Sequence, residues 1–118
     1  MIICLRTVLV PAEWRDRYLA WIEAGRQIRQ KHGILAELVC EPADGTGESV
    51  VITAWPSHRV FDDWSATPHR DALTASDVHQ GVTYRPITRY DVPGGYLNLA
   101  SLSLHDPNPS TDLPEESP

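Results

Sequence analysis

The segment AWPSHRVFDDWSATPHRDAL, residues 54–73, gathers side chains that could bind and deprotonate a ring-shaped ligand. Trp55, Phe61, Trp64 and His69 fall within a stretch of fifteen residues. Aromatic faces stack on flat ligands, and an imidazole can take up a proton near neutral pH. These residue types favour an aromatic pocket, although the same residues at helical spacing also suit a hydrophobic core.

Four further residues bring charged or polar groups to the predicted strands. Arg6 lies in the middle of an apolar N-terminal run, whereas His79, Tyr84 and Arg85 lie at the entrance to the last strand-like run or within it. Strand side chains alternate between two faces, which predicts Arg85 and Ile87 on one face and Tyr84 on the other. Tyr84 and Arg85 therefore cannot both line one pocket, and the sequence leaves open which of them does.

The composition indicates one globular domain and argues against nucleic acid as a partner. The 118-residue chain has a net charge of −6, and the four acids after residue 104 supply −4 of it, which leaves −2 for the rest. There is a single lysine, Lys31, and no basic stripe. The phosphates of a nucleic acid would find few cations to neutralise them.

The N-terminal run and the cysteines predict a cytoplasmic protein. No apolar run reaches the length of a membrane-spanning helix, and MIICLRTVLV lacks the small-residue cleavage site of a signal peptide. Cys4 and Cys40 are far apart in the sequence and form no CxxC motif. We therefore expect two free thiols in a reducing compartment.

The hydrophobic pattern predicts the element order β-α-β-β-α-β. β-branched and aliphatic residues at 2–10 predict the first strand. Apolar residues three and four positions apart predict a helix that begins at Pro11 and ends at Gly33. The runs ILAELVCE and SVVITAW predict two antiparallel strands joined by a turn at Asp44-Gly45.

The second half of the pattern completes the predicted fold. Ser57 and Thr67 suit the N-caps of two helical segments. The run GVTYRPITRYDV predicts a fourth strand, in which Pro86 requires an edge position or a bulge. This order is that of the ferredoxin-like α+β fold, with a four-stranded antiparallel sheet and helices on one face.

The sheet's other face is also apolar, which predicts a homodimer packed sheet to sheet. Arg6 would then need a partner such as Glu37 on the neighbouring strand. The domain is expected to span residues 1–92. Residues 93–104, which hold four leucines, are expected to form a fifth strand or a dimer arm, and the acidic, proline-rich residues 105–118 a disordered tail.

The segment from Ser49 to Leu73 resembles the antibiotic biosynthesis monooxygenase family, whose members form dimeric α+β barrels. That family typically has a strand ending in Trp, a helix bearing Phe, an aromatic residue or His one turn later, and a Ser/Thr-Pro-His-like segment. Trp55, Phe61, Trp64 and ATPHR match these features, and HGILAEL matches the family's second strand. The resemblance implies a pocket between sheet and helices in each subunit of a homodimer.

The resemblance also implies a choice of functions. Some members oxidise polyketide anthrones or quinols with O2 and without a metal or flavin, others bind or degrade haem, and some have no known activity. An Asn on the first strand often acts together with a Trp in the first two groups. Trp64 matches that Trp, but Arg6 and Thr7 stand on the first strand where the Asn would be.

The preferred interpretation is a cofactor-independent monooxygenase that acts on a small aromatic quinol or anthrone. His69, Trp64 and Arg6 are the expected catalytic residues, with His69 as the base. The expected substrate contacts are Trp55, Phe61, Tyr84, Arg85 and His79. The alternatives are a haem binder or haem-degrading enzyme, with His69 or His79 on the iron, and a non-catalytic dimeric ligand-binding module.

Other cofactors lack support in the sequence. His69 and His79 are not four residues apart, as two metal ligands on a helix would be, and no carboxylate follows at a recognisable interval. No GxGxxG, P-loop or GxSxG motif occurs. We therefore expect neither a metal site nor a nucleotide cofactor.

Overall fold

The computed structural model describes residues 1–45 and 47–96, and it shows an α+β fold. Within these ranges lie five strands, four α-helical segments and two 3-10 turns, at Ala12–Trp14 and Asp77–Gln80. The strands are β1 (Ile2–Leu9), β2 (Ala36–Cys40), β3 (Ser49–Trp55), β4 (Thr83–Tyr84) and β5 (Thr88–Asp91). The helices are α1 (Arg15–Ala24), α2 (Arg26–Lys31), α3 (His58–Ser65) and α4 (Pro68–Thr74).

The sheet has the predicted ferredoxin-like order. Its strands run β2-β3-β1-β4, β5 also pairs with β1, and every pairing is antiparallel. β1 alternates in burial, so that Ile2, Cys4 and Val8 are buried under the helices whereas Leu9 is 44% exposed on the opposite face. The pleat of β1 therefore sets which side chains can reach the helix-facing side.

The predicted fourth strand is split into β4 and β5 by a bulge at Pro86. Val8 pairs with Tyr84 and Leu5 with Thr88, so three residues after Tyr84 face two residues of β1. The Arg85 amide donates to the Thr7 carbonyl at 3.0 Å. Proline has no N–H to donate to the next rung of the ladder, and the extra residue is accommodated as a bulge.

This bulge reverses the alternation of side chains along the last strand. Tyr84 and Ile87 both face the helices, and Arg85 points to the solvent. The prediction that Arg85 and Ile87 share a face is wrong, because a bulge shifts the alternation by one residue. The prediction that Tyr84 and Arg85 face different sides is confirmed.

The first helix is interrupted at Gly25. The sequence predicts one helix, whereas α1 ends at Ala24 and α2 begins at Arg26. The guanidinium of Arg29 lies against Gly25, where an added Cβ would collide with it. Gly33, with a φ of 104°, stands just beyond α2 as predicted, because a left-handed residue favours glycine at a helix end.

The predicted caps of the later helices are confirmed. The Ser57 hydroxyl accepts from the amide of Val60 at 3.2 Å, and the Thr67 hydroxyl accepts from the amide of Arg70 at 3.2 Å. Each cap satisfies one amide that has no partner within its helix. The caps fix where α3 and α4 begin, and therefore which of their side chains face the sheet.

A buried ion pair joins α2 to the sheet. Arg29 is 5% exposed, and its Nε donates to Glu37 Oε1 on β2 at 3.1 Å. Its Nη2 donates to the carbonyl of Ile22, and its guanidinium lies 5.5 Å from the centre of the Trp21 ring. The predicted pairing of Glu37 with Arg6 is therefore replaced by a pairing with Arg29, which reaches the carboxylate from the helix above it.

Two predictions concern the C-terminal part of the chain. The predicted arm at 93–104 is described only as far as Tyr96, which is 97% exposed and not part of a strand. The remainder of the arm and the predicted tail at 105–118 lie outside the described residues. Over residues 1–45 and 47–96, no helix is both long and apolar enough to cross a membrane.

Glu37→Gln should lower the free energy of unfolding by about 3 kcal/mol, because it leaves the Arg29 cation buried without its counter-ion. Denaturant unfolding followed by circular dichroism would measure the loss. Glu41→Gln is the matched control, since Glu41 forms a bidentate but solvent-exposed pair with Arg15. Exposed pairs contribute little, so equal effects of the two substitutions would contradict the importance of the buried pair.

Candidate functional site

A cavity of about 400 Å³ lies between the helix-facing side of the sheet and the helices. Its lining includes residues from both halves of the core, such as Cys4 and Trp55 from one cluster and Tyr18 from the other. Pockets of this size accommodate small organic ligands. The cavity is therefore the candidate site, and its two ends differ in chemistry.

One end of the cavity is aromatic. Trp55 is 1% exposed, and its ring centre lies 5.3 Å from that of Phe61 in an edge-to-face arrangement. Trp64 stacks beside Trp55 at 6.4 Å with 26° between the ring planes. The Trp55 indole N–H donates to the Thr53 hydroxyl at 2.9 Å. Because that N–H is satisfied within the protein, Trp55 offers a ligand mainly an apolar surface.

A histidine and a tyrosine are hydrogen-bonded to each other on the cavity wall. His79 Nδ1 lies 2.6 Å from the hydroxyl of Tyr84, and the ring of Trp21 meets the His79 ring edge to face at 4.7 Å. His79 Nε2 is buried and has no hydrogen-bond partner among residues 1–45 and 47–96. Burial raises the pKa of Tyr84 to about 12, against a smaller opposing effect of Arg6. Tyr84 is therefore a neutral phenol at physiological pH.

Two arginines give the same wall a positive charge. The guanidinium of Arg6 lies 5.4 Å from the centre of the Tyr84 ring, and its Nε is buried without a partner. Arg70 of α4 also lines the cavity. Burial lowers the pKa of Arg6, and the positive charge of Arg70 lowers it further. Glu37, the carboxylate among the described lining residues, pairs with Arg29 at 3.1 Å.

The structure brings most of the predicted site residues to this cavity. Arg6 lines it, and the others that do so are Trp55, Phe61, Trp64, His79 and Tyr84. Arg85 does not, because the bulge turns it toward Glu48, whose carboxylate accepts two hydrogen bonds from its guanidinium. The predicted substrate contact of Arg85 therefore has no place in the cavity.

The predicted base, His69, lies outside the lining. Its side chain is exposed, and its Nδ1 is 2.9 Å from Nε2 of His32 at the end of α2. Neighbouring residues on an α-helix are rotated by about 100°. Arg70 therefore faces the cavity while His69 is turned toward the surface.

Sequence reasoning missed several lining residues, among them Arg70, Trp21 and Tyr18. Trp21 also joins two helices, because its indole N–H donates to the Leu73 carbonyl at 2.9 Å. Arg70 and Leu73 both line the cavity. Their spacing of three residues, one helical turn, is the signal that would have placed Arg70 on the inner face of α4.

The cysteines and acids show no metal site. Cys4 is buried and Cys40 exposed, and both are free thiols. Burial raises the pKa of the Cys4 thiol. Across residues 1–45 and 47–96, no three side chains of His, Cys, Asp or Glu come together in a metal-binding group. The chemistry of the cavity therefore centres on its phenol, imidazole and guanidinium groups.

Solved structures similar to this one show the same fold at low sequence identity. A proposed antibiotic biosynthesis monooxygenase of Deinococcus radiodurans is 24% identical, with a TM-score of 0.64 over 83% of this chain and 97% of its own. The haem degrader MhuD of Mycobacterium tuberculosis, solved with two haems in its active site, is 18% identical, with a TM-score of 0.66 over 81% and 99%. HapK of Hahella chejuensis is 10% identical, with a TM-score of 0.66 over 82% and 98%.

The solved structures show only the fold, whereas sequence comparison identifies the protein family. No curated protein matches the chain. The family model described as antibiotic biosynthesis monooxygenase matches residues 1–75, which is more than half of the chain and includes most of the cavity lining. The chain belongs to the antibiotic biosynthesis monooxygenase family.

Proposed function

We propose that the protein oxidises a small aromatic quinol or anthrone with O2 in this cavity, without a metal or flavin. The observation that carries the proposal is the pairing of an aromatic end with a wall that holds a hydrogen-bonded phenol and imidazole beside two cations. Cofactor-free oxidation needs an electron-rich anion in a dry site with fixed groups to stabilise its charge. The cavity supplies groups suited to each of these needs.

The aromatic end would bind the substrate's rings. Phe61 is the partly buried ring of this end, whereas Trp55 and Trp64 are 1% and 6% exposed and support it through edge-to-face and stacked contacts. In this placement the substrate's hydroxyl or enol oxygen points away from the aromatic end, toward Tyr84. The walls are mostly apolar, which would strengthen the electrostatic interactions within the cavity.

Tyr84 and His79 would take the substrate's proton together. In the tautomer of His79 whose Nδ1 carries no proton, the neutral Tyr84 hydroxyl would donate to Nδ1, and its oxygen could accept the proton of a substrate hydroxyl at the same time. Transfer of both protons leaves the substrate as an anion and His79 as an imidazolium. The catalytic role predicted for His69 stays a prediction, but its surface position favours His79 as the base.

Arg6 would stabilise the anion, since its guanidinium lies against the Tyr84 ring. An electron from the anion would reduce O2 to superoxide, and the two radicals would combine to a peroxide anion on the substrate carbon. The imidazolium of His79 would return its proton to this peroxide. For an anthrone, loss of water from this peroxide converts the CH2 group into a carbonyl. One oxygen atom of O2 is retained in the product and the other leaves as water.

Haem is a second candidate ligand, and one observation favours it. His79 is the histidine of the cavity lining, and its Nε2 is buried without a partner in the described part of the chain. Arg6 and Arg70 could pair with the two carboxylates of haem. Bound haem would supply iron that activates O2, and the protein residues would hold and orient it.

A homodimer packed sheet to sheet is part of the proposal. The outer face of the sheet is apolar and carries Leu9, Leu38 and Tyr90, which are 44%, 38% and 52% exposed in the single chain. A second copy would cover these side chains. A cytoplasmic location, expected from the separate thiols of the sequence, also remains a proposal.

Oxygen uptake should exceed the no-protein rate when chelator-treated protein is mixed with anthrones and quinols. Tyr84→Phe should lower the rate roughly 100-fold, because it removes the oxygen that accepts the proton. Arg59→Gln is the matched control, since Arg59 is an exposed residue of α3. Uptake at the no-protein rate would contradict the proposal, and a loss in His69→Ala but not in Tyr84→Phe would move the base to His69.

Haem titration followed by absorbance separates the two candidate ligands. A shift of the Soret band that disappears in His79→Ala but persists in His69→Ala would support haem as the ligand, since only His79 lines the cavity. Oxygen uptake that then depends on added haem would replace the cofactor-free mechanism. No shift, together with uptake by the haem-free protein, is the expected result.

Leu38→Glu should convert the dimer to a monomer, because it places a charge in the apolar interface proposed for the outer face. Analytical ultracentrifugation of the wild type and the variant would measure the change. Arg59→Gln again serves as a control on the helix side. If the wild type were a monomer at micromolar concentration, or if Leu38→Glu remained a dimer, the outer face of the sheet would not be the dimer interface.

The phenolate absorbance of Tyr84, isolated as the difference between wild type and Tyr84→Phe, should appear at a pH of about 12. The folded-state pKa lies above the ordinary value of 10.0, so the stability that neutral Tyr84 contributes is complete below pH 10.0. It is then lost as the pH rises through about 12. A transition centred at the ordinary value would show that Tyr84 is not buried in the cavity wall.

A further inference from the structure

The charges around the cavity do not balance. Among the described lining residues, three arginines face a single carboxylate, that of Glu37. Arg29 pairs with Glu37 at 3.1 Å, and both side chains are mostly buried, at 7% and 14% exposure. This pair is neutral as a unit. Arg6 and Arg70 remain as two positive charges on the wall.

The charge of Arg6 is costly in the empty protein. Arg6 stands on the central strand of the sheet between the buried residues Cys4 and Val8, and its Nε has lost water without gaining a partner. The positive charge of Arg70 is close enough to disfavour the charged form of Arg6. A desolvated cation without a counter-ion destabilises a protein. A bound anion would offset that cost.

One substrate anion does not neutralise both arginines. The phenolate or enolate of the proposed reaction carries a single negative charge, which leaves one guanidinium uncompensated. A second, permanent negative group on the substrate would complete the balance. A guanidinium binds carboxylate through two parallel hydrogen bonds, and a carboxylate adds little volume to a ligand that must fit about 400 Å³.

We propose that the natural ligand is an aromatic hydroxy acid, whose carboxylate is held by Arg6 and Arg70 while its rings occupy the end formed by Trp55, Phe61 and Trp64. This inference deepens the proposed oxidation by naming a substrate class, and it rests on the same cavity. Arg70 is then a specificity residue, since it binds a group that does not react. Neutral quinols and anthrones become poorer substrates than their carboxylated counterparts.

The test compares a carboxylate with its amide. Both probes lack the hydroxyl group that the proposed reaction oxidises, so their binding is measured without turnover. Isothermal titration calorimetry at low salt would measure the affinities of 2-naphthoate and 2-naphthamide for the full chain. We expect the carboxylate to bind at least about tenfold more tightly than the amide, which corresponds to roughly 1.4 kcal/mol. The amide keeps the rings and nearly the same shape, so the difference reports the charge of the carboxylate and the second acceptor oxygen that a guanidinium needs.

Variants locate the source of the preference. Arg70→Gln and Arg6→Gln should each reduce the preference for naphthoate to within about threefold, whereas Arg59→Gln on the outer surface of α3 should leave it unchanged. Arg70→Lys keeps the charge and should retain part of the preference. Arg70 is only half-buried, and circular dichroism melting would confirm that its variants are folded.

Three results would overturn the inference. These are equal affinities for the two probes, no binding of naphthoate up to about 1 mM, and a preference that survives both arginine substitutions. The outcome is separable from that of the proposed oxidation. A carboxylate preference in a protein that consumes no O2 would support this inference and contradict the proposed oxidation. Equal turnover of neutral and carboxylated quinols would support the oxidation and contradict this inference.

Discussion

The buried contact between Arg29 and Glu37 is the interaction on which the rest of the site depends. It ties α2 to β2 across the wall of the cavity, and the guanidinium fills the space beside Gly25, where the helix is interrupted. The contact also engages Glu37, which supplies the carboxylate among the described residues of the cavity lining. Arg6 is therefore left without an acid to pair with, and the cavity wall keeps a positive charge that can act on a ligand.

The same apolar surroundings explain the electrostatics of the whole wall. Removal from water disfavours charge, so it raises the pKa of Tyr84 and lowers that of Arg6. The Tyr84 phenol is therefore neutral beside the His79 imidazole, and the charged Arg6 guanidinium destabilises the folded protein. In the proposed reaction the neutral substrate would give its proton to the pair of Tyr84 and His79. The anion that results would take the place of water for Arg6. Binding and deprotonation in the proposed reaction would therefore depend on the same apolar surroundings.

The Pro86 bulge decides which groups share that environment. In an unbroken strand Tyr84 and Ile87 would lie on opposite faces. The extra residue brings both to the cavity and sends Arg85 to the surface, where it pairs with Glu48. A single backbone constraint, the missing N–H of proline, thus sets the polar end of the site. The aromatic end is set independently, by the end of β3 and the capped start of α3.

The sequence by itself determined the order of the elements, the turns, the helix caps and the aromatic end of the site. These depend on local signals: the spacing of apolar residues, glycine at a left-handed position, and hydroxyl side chains that accept from nearby amides. Only the tertiary structure decided the pairing of Arg29 with Glu37, the inward position of Arg70 rather than His69, and the placement of Tyr84 beside His79. Each of these depends on how a helix is rotated over the sheet or on a one-residue shift in a strand. Such rotations follow from packing between residues distant in the chain, whereas a local pattern such as the spacing of Arg70 and Leu73 shows only which side chains share a helix face.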